Sequence, residues 1–71
     1  MKRKRAKVHE PYMKFKGWLR TNDIKYEDIA MLLGLTTGTV SDKINGLSDF
    51  LLYETATIVK EYGTSYDVFL N

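Results

Sequence analysis

Apolar positions along the chain repeat at helical spacing, and nowhere do they alternate over a useful strand length. Tyr12, Phe15 and Leu19 fall at i, i+3 and i+7 and predict a first helix, with Trp18 on its edge. Pro11 suits the first turn of that helix, where a missing N–H costs nothing. Gly17 inside it costs about 1 kcal/mol relative to alanine and predicts close packing. The polar run Thr21, Asn22, Asp23 ends the helix. Ile29, Leu32 and Leu33 mark a second helix over residues 25–33, stopped by Gly34, and Val40 with Ile44 marks a third over 37–45. After a polar turn at 46–49, Phe50 opens a new apolar stretch. A fourth helix, 52–62, carries Leu52, Ala56 and Val59 on one stripe with Ile58 and Tyr62 beside it, and Gly63 ends it. Ser65 caps a short last helix over 66–70.

The chain is organised around residues 24–46. Gly34 sits where a left-handed residue must end a helix, which a side chain without Cβ does at no steric cost. Thr36 reads as the N-cap of the next helix, its hydroxyl able to accept from an orphan N–H. Ala30 is small where a second helix needs close approach, and Asn45 with Gly46 closes the segment. Two short helices about such a turn predict a helix-turn-helix unit, whose second helix can enter a DNA major groove. The set Ala30, Gly34-Leu35-Thr36, Val40-Ser41 and Asn45-Gly46 resembles the Cro/lambda-repressor-like (XRE) helix-turn-helix family. The resemblance continues through Phe50, Glu54, Ile58, Tyr62-Gly63 and Tyr66-Asp67-Val68-Phe69, covering roughly residues 13–70. It implies an all-α fold, a compact five-helix lambda-repressor-like bundle with a basic N-terminal arm. Size and the Lys43-Ile44-Asn45-Gly46 ending are most similar to small switch regulators of Gram-positive temperate phages.

Charge changes this picture. The formal net charge is +2, from 11 basic and 9 acidic residues. Five of the basic residues (Lys2, Arg3, Lys4, Arg5 and Lys7) crowd the first seven positions with no acid among them. The other six face all nine acids, so the remainder is acidic. Residues 1–9 are therefore expected to be a disordered basic arm, and 10–71 the folded domain. A groove-reading unit normally shows a basic footprint, yet residues 24–46 hold Lys25 and Lys43 against Glu27, Asp28 and Asp42. The 71 residues support one small core, and the absence of cysteine fits a reducing cytoplasm, which the resemblance implies is that of a bacterial host. No apolar run reaches the ~20 residues of a membrane span, and no secretory leader is expected.

No catalytic constellation is present, so an enzyme is not expected, nor a cofactor or small-molecule substrate. The single histidine, His9, has no metal-spaced partner and reads as solvated. The resemblance assigns base-edge contact to Thr37, Gly38 and Asp42. The family favours Gln, Arg, Asn or Ser there, since those donors match guanine or adenine edges. Thr37 offers one hydroxyl, Gly38 no side chain, and Asp42 only an acceptor that repels phosphate. The family's phosphate-holding glutamine aligns with Tyr26, and Asn45 is retained for a backbone phosphate. The contact surface, toward DNA or a protein, is thus Tyr26, Glu27, Asp28, Met31, Thr36, Thr37, Gly38, Thr39, Asp42, Lys43 and Asn45. Met31 stands off the buried stripe, where a DNA-binding protein would place Lys, Arg or Gln. Trp18, Tyr53 and Phe69 are further candidates for an interface or for the core. Two expectations follow. One is an anti-repressor, similar to the modulator-of-repression type, whose acidic helices dock on the DNA-binding domain of a phage repressor. The other is a Cro-like repressor reading an operator through helix 3 and the basic arm. A weak homodimer is compatible with both.

Overall fold

Four helices form where the apolar periodicity places them. They are α1 (Met13–Thr21), α2 (Tyr26–Leu33), α3 (Thr37–Asn45) and α4 (Leu52–Tyr62), followed by a 3-10 helix at Tyr66–Phe69. The computed structural model describes residues 7–70, among which there is no strand. The expected basic arm thus lies outside the described residues except for Lys7, Val8 and His9. Among the described residues no helix is long and apolar enough to cross a membrane.

The core is small and made from every α-helix. Phe15 and Leu19 come from α1, Ile29 and Ala30 from α2, Val40 and Ile44 from α3, and Ile58 from α4. Aromatic rings extend it. Phe15 lies against Phe69 at 4.8 Å between centroids and meets Phe50 edge-on at 5.9 Å. Trp18 meets Tyr62 edge-on at 5.5 Å. Trp18 and Phe69 are therefore packed against the core, whereas Met31 and Tyr53 are exposed. Offset and edge-on ring pairs each contribute about 0.5–1.5 kcal/mol beyond their buried area, a substantial share in so small a domain.

Several boundaries and faces differ from the sequence expectation. Pro11 lies outside α1, because Tyr12 is the N-cap and its N–H donates across to the Ile44 carbonyl of α3 (3.0 Å). The last element is a 3-10 helix rather than an α-helix, with Leu70 N–H reaching back to Asp67 O (3.0 Å). Such i→i+3 geometry suits a four-residue segment. Leu52, expected on the buried stripe of α4, is 81% exposed. The inward line runs instead through Glu54 and Ile58, four apart, and rotates Leu52 to solvent. Gly17 is exposed, and a Cβ there would meet nothing within 4 Å. It therefore weakens α1 without a packing return. Gly17→Ala should raise stability by about 0.5–1 kcal/mol in chemical denaturation; an unchanged or lower midpoint would contradict this.

Candidate functional site

The α2–α3 pair is joined by a turn that backbone and side-chain hydrogen bonds close at both ends. Gly34 takes φ 70°, and the Leu35 N–H closes on Ala30 O at 2.9 Å. The Thr36 hydroxyl oxygen accepts from Thr39 N–H (3.1 Å) and donates to Thr39 Oγ1 (2.9 Å), so the predicted cap is in place. At the start of α2, the Asp28 carboxylate accepts the Lys25 N–H at 2.9 Å. Acids in a first turn also favour the positive end of the helix dipole. Ile29 and Ala30 face Val40 and Ile44 in the core, which leaves the opposite faces of both helices outward.

Of the sequence-nominated residues, Glu27, Asp28, Met31, Thr36, Thr37 and Gly38 are exposed. Met31 is 80% exposed, the largest value on the pair for an apolar side chain. Tyr26, Thr39, Asp42 and Asn45 are half-buried. The Asn45 amide donates to Ser41 O (2.9 Å) and Oγ (3.3 Å) of its own helix, so it is already engaged. Lys43 departs most from its nomination as a contact residue. Its side chain is buried, and Nζ lies 2.7 Å from Glu54 Oε1 on α4. Of the arm cations, Lys7 alone is described, and it is exposed.

Glu54, named from the sequence only as part of the resemblance, is the buried partner of Lys43. It is 1% exposed, and the same Oε1 accepts both Lys43 Nζ and the Leu51 N–H (2.9 Å). The carboxylate thus caps α4 and neutralises an α3 cation at one point. Phe50 lies 6.0 Å beneath the ammonium and completes its enclosure. A Glu three residues into a helix is a capping signal. Here the cap position is Leu51 rather than Ser or Thr, which hid it.

The consequence is electrostatic. Within α2 and α3 the only cation is Lys43, and it is withdrawn. Glu27 and Asp28 stand exposed, with Lys25 the nearest exposed base at the α2 N-cap. Where α2 meets α4, Asp28, Met31, Leu32, Glu61 and Tyr62 line a shallow groove. Burial pushes the Tyr62 phenol above its ordinary pKa, and the charges of Asp28 and Glu61 add to the rise. Among the described residues no group of three or more His, Asp or Glu is placed to hold a metal ion. The chain matches no family model, no curated protein and no solved structure.

Proposed function

We propose that this chain is a helix-turn-helix regulator of the Cro/lambda-repressor-like kind that works as an anti-repressor in a phage lysis–lysogeny switch. In this reading the α2–α3 face docks on the basic DNA-reading surface of the phage repressor and occludes it, in the bacterial cytoplasm. The observation that carries the reading is the burial of Lys43 against Glu54. It removes the one cation that α2 and α3 could offer a phosphate and leaves Glu27 and Asp28 outward, with Met31 beside them. Duplex DNA is bound mainly through cations that displace its counterions, so such a face suits a basic protein better. Complementary potentials would also steer the encounter.

The second reading is a Cro-like protein that binds operator DNA directly. It is favoured by the exposed first turn of α3, where Thr37 and Gly38 leave the helix N-terminus unobstructed, and by exposed Lys25. A gel shift separates the two. Adding the purified protein to a complex of the repressor with its genome's switch-region DNA should release free DNA. A slower band formed by the protein alone on that DNA would favour direct reading.

A further inference from the structure

The segment before α1 is fastened to the C-terminal end of α3 through His9. Val8 N–H donates to Gly46 O at 2.6 Å, and Tyr12 N–H donates to Ile44 O at 3.0 Å. Gly46 has φ 97°, and a Cβ there would lie 2.0 Å from the His9 carbonyl oxygen, so only glycine admits this approach. The two His9 ring nitrogens both face backbone carbonyls, with Nδ1 2.6 Å from Glu10 O and Nε2 2.8 Å from Ser48 O. Carbonyl oxygens only accept, and a neutral imidazole has a single N–H. Both contacts are hydrogen bonds only when the ring is an imidazolium.

The surroundings favour that cation. The Asp49 carboxylate, from the α3–α4 loop, lies 3.4 Å from Nε2. The Tyr12 ring stacks on the imidazole at 4.2 Å, and its hydroxyl donates to the same Asp49 oxygen. From α3 comes the Lys43 carbonyl, while the Lys43 ammonium is turned to Glu54. A helix C-terminus also attracts positive charge. Burial of His9 acts to lower its pKa, but the Glu10, Ser48 and Lys43 carbonyls and the Asp49 charge outweigh it. The histidine titrates above its ordinary 6.5. Val8 and His9 fall on the arm side of the boundary expected at residue 9, and the ring expected to be solvated is instead a tether.

We propose that His9 is a protonation-controlled clasp: as imidazolium it pins residues 8–12 to the C-terminal end of α3, and on losing its proton it releases them. The sign follows from the raised pKa. The clasp is at full strength below the unfolded value of 6.5 and weakens as pH rises through the higher folded value. The mechanism is independent of what the α2–α3 face binds.

The test is NMR on the 15N-labelled 71-residue chain from about pH 5.5 to 8.5, the span over which a histidine exchanges its charge. The chain holds one histidine, so its ring signal is unique. The ring should titrate above 6.5. The Val8 amide, after division by intrinsic exchange rates, should lose protection with the same midpoint, while Val40 and Ile58 keep theirs. Asp49→Asn should lower that midpoint for both signals. His9→Phe, which retains a ring to stack on Tyr12 but has no donor, should leave Val8 unprotected at every pH. Protection of Val8 that does not follow the ring titration, or that survives in His9→Phe with the core amides intact, would overturn the proposal.

Discussion

Lys43→Met should destabilise the domain by about 3–5 kcal/mol, enough to unfold much of the population of so small a protein. The methionine has the length to fill the space but leaves the Glu54 carboxylate, 1% exposed, without its counter-ion. Glu54→Gln should cost less. The amide oxygen still accepts the Leu51 N–H, and the Lys43 stem is long enough to carry its ammonium toward water. The double variant Lys43→Met/Glu54→Gln should recover a large part of the single Lys43→Met loss, since no buried charge remains. Urea unfolding of the four proteins measures this as a double-mutant cycle. Additive effects, or a Lys43→Met variant within about 0.5 kcal/mol of wild type, would mean that the pair does not anchor α3 to α4.

The second large effect concerns the outer face. If the proposed anti-repressor role is right, changing Glu27, Asp28 and Asp42 together to their amides should weaken repressor binding by about 2–5 kcal/mol where at least one carboxylate is paired and enclosed in the complex. If all three remain at the rim, the loss should appear mainly in the association rate. In either case the residual binding should depend less on salt, because fewer charges are left to screen. The fold should survive, since Glu27 and Asp28 are exposed and Asp42 is not part of the apolar core. Asn at position 28 keeps an oxygen for the Lys25 N–H. A triple variant that binds the repressor as tightly as wild type, with the same salt dependence, would remove the acidic face from the account.

The helices were legible in the sequence because their ends are written in local chemistry. Thr36 and Ser65 cap as their hydroxyls predict, and α3 and α4 run over 37–45 and 52–62 as read. The face of α4 was not legible. Hydrophobicity points Leu52 inward, whereas Glu54 takes that place through its cap on the Leu51 N–H and its pairing with the distant Lys43. The same limit applies to the site. The exposure of Glu27, Asp28 and Met31 followed from helical spacing, as side chains off the buried stripe. The withdrawal of Lys43 depends on a partner 11 residues away, and the clasp at His9 on one 39 residues away. No spacing rule joins such positions before the chain is folded.

The account rests on the claim that the α2–α3 face meets a basic protein surface rather than a duplex. Isothermal titration at physiological salt measures this directly, with the repressor's isolated DNA-binding domain in one experiment and operator duplex in the other. The account predicts a saturable complex with the repressor domain that weakens as salt rises, and no sequence-specific heat with the duplex. Tight, sequence-specific binding of the wild-type protein to operator DNA, with no measurable repressor complex, would contradict it.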